Sequence, residues 1–381
     1  MPFSARAGFF ADVVAGLESN IPAYPTVATE SQMLTEFALM GEANTATIST
    51  FTSDIDGAIT GGFGGIVLPD GNLLVTTWTD ANVYLINPSD DSTEVVAKGD
   101  SGQTSECTLG LDGNVYIGPR DGTTLYVMDA DTHVITRKTS KFPVTVRVGS
   151  METLPDGNIY IFNEGSNGTT NDAYKYEPST DTMHPTSFTA VEDNSHVFAC
   201  QALNGDLYLA PYVGTISGNT HVRKYDYSGD SWSSFDVGNY GWGAGTVGTN
   251  GKLYFMPTST ANVLVIDPSD DSYTTIAVSN VSGTNAFRRG QLGPDGIIYS
   301  ADYTNSSSTD WIRIFPGNNT VSTTSLSTLP STPRTASYAV DPQSNVIYMF
   351  GFTDLTTVTK IQTFPDTAID TDLWVQTFVN D

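Results

Sequence analysis

Positive charge is what this chain has least of. Its 381 residues include 16 Lys and Arg against 42 Asp and Glu, a formal net charge of −26 at pH 7. A surface of that sign repels phosphate backbones and anionic headgroups, so neither nucleic acid nor membrane is an expected partner. Charge of either sign is scarce, at 15 % of residues, which leaves Thr, Ser and Asn to make most of the polar surface. No apolar run is long enough for a membrane span; the nearest, Phe9 to Leu17, is broken by Asp12. Arg6 precedes that run as in a secretory leader, but no small-x-small cleavage site follows, and none is expected to act. The two cysteines, Cys107 and Cys200, are far apart in apolar contexts, which predicts buried free thiols rather than a disulfide framework. The four histidines, His133, His184, His196 and His221, are dispersed, so a histidine metal cluster is not expected. Gly-x-Ser-x-Gly, a phosphate-binding glycine loop and a complete EF-hand loop are all missing, and the sequence predicts neither a cofactor nor a metal.

What the chain does have is a repeat. A turn phrase followed by an alternating apolar strand reads Pro69-Asp70-Gly71-Asn72-Leu73-Leu74, Asp112-Gly113-Asn114-Val115-Tyr116 and Pro155-Asp156-Gly157-Asn158-Ile159-Tyr160. It continues as Asn204-Gly205-Asp206-Leu207-Tyr208, Asn250-Gly251-Lys252-Leu253-Tyr254 and Pro294-Asp295-Gly296-Ile297-Ile298-Tyr299, and a seventh copy, Ser344-Asn345-Val346-Ile347-Tyr348, lacks the glycine. Leu74 and the six tyrosines mark a period of about 46 residues. Asp-Gly and Asn-Gly between apolar runs favour tight hairpins, because glycine takes positive φ at no steric cost. Some ten residues after each marker comes a second alternating run, such as Val83-Tyr84-Leu85-Ile86 or Val263-Leu264-Val265-Ile266. A further turn and a polar strand follow, as in Asn87-Pro88-Ser89-Asp90-Asp91-Ser92 and Glu94-Val95-Val96-Ala97. The acidic turns at Asp90-Asp91 and Asp270-Asp271 read as solvated turn aspartates.

Each unit is thus a four-stranded antiparallel meander, which cannot bury both faces alone but can when packed radially against its neighbours. The pattern resembles a seven-bladed β-propeller, over roughly residues 45 to 381. The repeat phrase is similar to NHL-like and gluconolactonase-like propellers; no recurrent Gly-His and Trp-Asp pair or kelch double glycine accompanies it. The expected fold is all-β, with a propeller over 44–381 and an arm over 1–43 carrying one short helix near Ser31 to Met40. Two segments compete to close the ring, Thr45 to Phe51 and Leu373 to Val379.

Propellers place ligands where loops enter the innermost strands around the axis. Those entries hold Glu106, Glu152, Arg147, His196, Arg288, Arg289 and Arg334, four of the chain's nine arginines among them, with Tyr240, Trp242 and Phe287. Guanidinium groups suit an anionic sugar or carboxylate, and Trp242 and Tyr240, flanked by glycines, suit stacking on a sugar ring. Glu106 and Glu152 pairing with the arginines to hold blades together is the competing reading. A lactonase resemblance would imply a Glu, an Asn and an Asp on an axial metal, and no matching Asn and Asp are evident. An enzyme would draw on Glu106, Glu152 and His196.

The opening Met-Pro-Phe-Ser-Ala-Arg-Ala-Gly-Phe-Phe resembles the leader of tailed-phage virion proteins. That resemblance implies a non-enzymatic structural protein, made in the host cytoplasm and located on the virion. It would be held to other virion proteins through residues 1–43, with Phe3, Phe9, Phe10 and Phe37 as anchors, and would be able to bind a host-surface saccharide. A lactonase- or lyase-type enzyme acting in the channel and a general protein-interaction scaffold are the alternatives.

Overall fold

The computed structural model describes residues 47–53, 55, 61–163, 172–189, 198–212, 220–238, 241–278, 287–302, 310–325, 335–341, 344–351 and 355–363. Among them there is no helix, and the strands form seven four-stranded antiparallel sheets. The proposed N-terminal helix, the arm residues Phe3, Phe9, Phe10 and Phe37, and the Leu373 to Val379 segment lie outside the described residues.

Blade 1 is β2 (Gly62–Val67), β3 (Leu73–Thr77), β4 (Asn82–Ile86) and β5 (Thr93–Ala97). Blade 2 is β6 (Thr104–Leu109), β7 (Asn114–Pro119), β8 (Leu125–Asp129) and β9 (Ile135–Lys138); blade 3 runs from β10 (Val148–Thr153) to β13 (Thr182–Thr189). Blade 4 begins with β14 (Ala199–Gln201), blade 5 with β18 (Trp242–Val247) and blade 6 with β22 (Gln291–Leu292). Blade 7 takes three strands, β26 (Thr335–Asp341), β27 (Val346–Gly351) and β28 (Thr357–Gln362), from the end of the repeat and its fourth, β1 (Thr47–Thr52), from the beginning. β1 pairs antiparallel with β28 from Thr47 opposite Gln362 to Thr52 opposite Thr357. Of the two closing segments the sequence left open, the N-terminal one therefore completes the last blade.

The turn chemistry works as the sequence implies. Gly71, Gly113, Gly157, Gly205, Gly251 and Gly296 all have φ between +76° and +91°, and in the seventh copy Asn345 takes the left-handed conformation at φ 56°. Asparagine tolerates that region, which explains how the copy survives without its glycine. The residue before each glycine closes an Asx turn; Asp70, Asp112 and Asp156 accept from the backbone N–H groups of Asn72, Asn114 and Asn158 at 3.0, 3.2 and 3.0 Å.

Period-two alternation explains how the blades pack. Leu73 and Leu74 are both fully buried, but Leu73 belongs to the core shared with blade 7 and Leu74 to the core shared with blade 2. Each of the seven blade-to-blade interfaces has its own apolar cluster built from both neighbours. The outer strands are mostly solvated, as β21 (Ser272–Ala277) shows.

The second acidic turn is only half as expected. Asp90 and Asp270 are solvated and cap Ser92 and Ser272 within their own turns. Asp91 and Asp271 instead take left-handed φ of 60° and 58° and reach the adjacent blade. Lys360 of blade 7 donates to Asp91 at 3.2 Å. Tyr208 and Lys224 of blade 4 donate to Asp271 at 2.6 and 2.8 Å. Tyr254 of blade 5 likewise donates to Asn319 of blade 6 at 2.6 Å. In blades 4 and 5 the marker tyrosine therefore latches its blade to the outer turn of the next, whereas Tyr116 and Tyr299 donate to Asp112 and Asp295 of their own turns.

Asp271→Ala removes the hydrogen bonds from Tyr208 and Lys224 and leaves an alanine in the left-handed region that aspartate tolerates better, a loss expected at about 2–3 kcal/mol. Urea unfolding should show this loss, whereas Asp270→Ala should leave the midpoint nearly unmoved; equal effects would contradict the latch.

Candidate functional site

All seven innermost strands contribute to one cavity on the propeller axis, of about 160 Å³, lined by Ile66, Glu106, Glu152, Gln201, Thr246, Arg289 and Tyr338 among others. Glu106 reaches it because β6 carries a bulge: the pairing with β7 shifts between Thr104 and Cys107, and Glu106 sits within the shift. A bulge re-aims the side chain it carries. The inner strands approach closely here. A Cβ on Gly64 would lie 3.0 Å from the Ser105 carbonyl oxygen and from the Cys107 N, so only glycine fits between blades 1 and 2.

Glu106, from blade 2, is met across the axis by Arg289, from blade 6. The guanidinium grips the carboxylate with both terminal nitrogens, Nη1 to Oε2 at 3.1 Å and Nη2 to Oε1. Both side chains are largely buried, so the fork spans the channel as a desolvated crossbar between opposite blades. This is the pairing the sequence reading set against a ligand role, and it occupies Glu106.

Glu152, on β10, has no such partner. Burial, the nearby Glu106 charge and only partial compensation by Arg289 push its carboxyl up to about 8, so at neutral pH it is mostly protonated. Burial raises the Cys107 and Cys200 thiols as well, in both cases reinforced by a neighbouring glutamate. Both cysteines are free and buried, as the sequence predicts.

One level above, at the mouth of the channel, aromatic rings and guanidinium groups interleave. Phe63 stacks on Trp78 at 4.4 Å between centroids, and the Arg120 guanidinium lies 4.1 Å from the Trp78 ring centre. Arg288 sits 5.2, 5.5 and 5.7 Å from the rings of Phe63, Phe198 and Tyr212, and Arg289 is 4.9 and 5.1 Å from Phe63 and Phe198. The rings hold cationic groups in a partly dry setting through their negative faces.

The predicted site residues divide accordingly. Glu106, Glu152 and Arg289 meet at the axis, and Arg288 joins the mouth. Arg147 does not; its Nη2 bonds both oxygens of Asp121 at 3.0 Å, away from the cavity. Trp242 is a correction to the expected sugar platform. It is fully buried in the core between blades 4 and 5, and its Nε1 donates to the Asn262 carbonyl at 3.0 Å, so neither ring face is open to a ligand. His196, Tyr240 and Arg334 lie outside the described residues. Sequence reasoning missed Arg120, Phe63, Trp78, Phe198 and Tyr212. Phe63 carried a signal, since in Gly61-Gly62-Phe63-Gly64-Gly65 it is framed by glycines just as Trp242 is. Among the described residues, no three His, Cys, Asp or Glu side chains converge as metal ligands.

Glu152 binds its proton more tightly folded than unfolded. Its contribution to stability is therefore fully present below the ordinary carboxyl pKa and is lost as pH rises through about 8. Urea midpoints should fall between about pH 5 and pH 8, and Glu152→Gln should flatten that fall by at least about 1 kcal/mol. Parallel pH profiles for the two proteins would refute the assignment.

No protein-family model matches the chain, and no curated protein matches it in sequence. Among solved structures it is similar to virginiamycin B lyase from Staphylococcus aureus, with TM-score 0.68 and 14 % identity over 83 % of this chain and 99 % of that one. A streptogramin B lyase gives 0.64 and 11 % over 83 % and 97 %, and Kuenenia stuttgartiensis hydrazine synthase gives 0.60 and 13 % over 84 % and 99 %. At such identities the likeness is one of fold, a seven-bladed propeller on which different proteins carry different functions.

Proposed function

We propose that this chain is a non-enzymatic display protein of the tailed-phage virion type, attached through residues 1–43 and presenting its channel mouth outward to a host-surface saccharide. One observation carries this reading. β1 enters the ring with Thr47 beside Gln362, at the same end as the Asn345 turn, where Thr363 donates to the Asn345 carbonyl at 3.0 Å. β1 therefore begins at the turn-bearing face, opposite the mouth that carries Arg120, Arg288 and Trp78. An anchor and a binding face on opposite sides are what a displayed module needs. The cavity also supports a non-enzymatic role: about 160 Å³ is smaller than the several hundred cubic ångströms of most substrate pockets, and its best-placed carboxylate is held by Arg289. The half-buried Arg120 at the mouth, stacked over Trp78 and with Asp121 3.9 Å away, suits an acidic sugar.

A lactonase- or lyase-type enzyme is the second reading. It is favoured by a Glu152 carboxyl raised to about 8 next to a cavity, which suits a general acid, and by the fold likeness to two lyases.

A chain beginning at Asn44 should remain a folded propeller and fail to enter particles that the intact chain enters. On a glycan array, intact protein should retain acidic saccharides, and Arg120→Ala should lose them by tenfold or more. Turnover that survives removal of residues 1–43 and vanishes in Glu152→Gln would replace the display reading with the enzymatic one.

A further inference from the structure

The axial cavity carries one more carboxyl group than its single guanidinium pairs. Its charged lining consists of Glu106, Glu152 and Arg289, of which Glu106 and Arg289 neutralise each other. Among the described residues Glu152 makes no hydrogen bond or ion pair, and what remains beside it is acceptor-rich. Gln201 lines the same cavity, is only 8 % exposed, and has an Oε1 with no hydrogen-bond partner. An orphaned buried carbonyl costs about 1–3 kcal/mol. A half-turn of the amide exchanges its two ends at little steric cost, so the side chain can offer Oε1 to an occupant of the cavity. Ile66, Met151, Val247, Phe198 and Tyr338 add apolar surface to a lining that also carries the polar side chains of Ser150, Thr246 and Gln291.

One unpaired carboxyl group, one carbonyl and a few hydroxyls among apolar side chains fall short of the six to eight oxygens a calcium ion takes. They match an ion with a few N–H donors at one end and a short hydrocarbon body at the other. We propose that the axial cavity binds a small primary alkylammonium ion of about two to four carbons, with Glu152 as its counter-ion and the Gln201 amide as its second acceptor. The display role does not enter this inference. Binding converts the protonated Glu152 acid to carboxylate, so each ion bound at neutral pH displaces a proton to solvent. The other groups facing the cavity are Glu106, fixed by Arg289, the Tyr338 hydroxyl and the Cys107 and Cys200 thiols, all of which burial or pairing keeps in one state near neutrality.

The test is calorimetric titration of the intact chain with propylammonium chloride near pH 7, in two buffers of different ionisation enthalpy. Salt of about 0.3 M suppresses attraction to the acidic surface. The expected result is saturable one-to-one binding with proton release, weakened at least tenfold in Glu152→Gln. Gln201→Leu, which leaves the ionisable groups in place, should fold and should also bind about tenfold less well. Calcium binding without propylammonium binding would overturn the proposal in favour of a metal site, and saturation by neither would leave only water there. Equal binding by wild type and both variants would place the ion elsewhere.

Discussion

The pairing of β1 with β28 is the interaction on which everything else depends. A ring of blades has no edge only if its first and last members join, and here the joint is made by backbone hydrogen bonds of a six-residue strand contributed by the opposite end of the chain. An unpaired third strand would expose a row of backbone donors and acceptors. It would also leave the cluster between blades 6 and 7 without Ile48 and that between blades 7 and 1 without Phe51, since both side chains come from β1. Closure therefore supplies both the last ladder and the outermost packing of two interfaces.

Once the ring is closed, its axis becomes a confined space, and confinement sets the electrostatics. The Glu106–Arg289 fork joins blades 2 and 6 across the channel, where low dielectric strengthens the pair and makes either member costly alone. The same confinement leaves Glu152 mostly protonated, because its carboxyl is buried beside the Glu106 charge and Arg289, already paired with Glu106, compensates only in part. A chain that is strongly acidic overall thus carries a mouth where Arg120 and Arg288 lie against aromatic rings, above an Arg289 already paired with Glu106.

Most of the fold was legible because its signals are local and repeated. Asp-Gly and Asn-Gly turns fix hairpins, alternation fixes which residues face which neighbouring blade, and seven similar copies make each signal easier to trust. Where a copy deviated, the physics still held, as Asn345 shows by taking the conformation that glycine takes elsewhere. The candidate site was less legible because it is assembled from residues far apart in sequence. The Glu106–Arg289 pair separates two positions 183 residues apart, and periodicity alone cannot choose Arg289 over Arg147, which found Asp121 instead. Trp242 misled because glycine neighbours signal close approach as readily as exposure; in this case another blade approached. Asp271 was read as solvated because the tyrosine and lysine that hold it come from the preceding blade.

Closure by the N-terminal strand is tested most directly by comparing equilibrium unfolding of two shortened chains, one beginning at Asn44 and one at Asp54. The first retains β1 and should unfold in a single sharp transition at the midpoint of the full chain. The second lacks β1 and should lose cooperativity and shift to a lower midpoint. Superimposable transitions for the two would show that β1 does not close the ring.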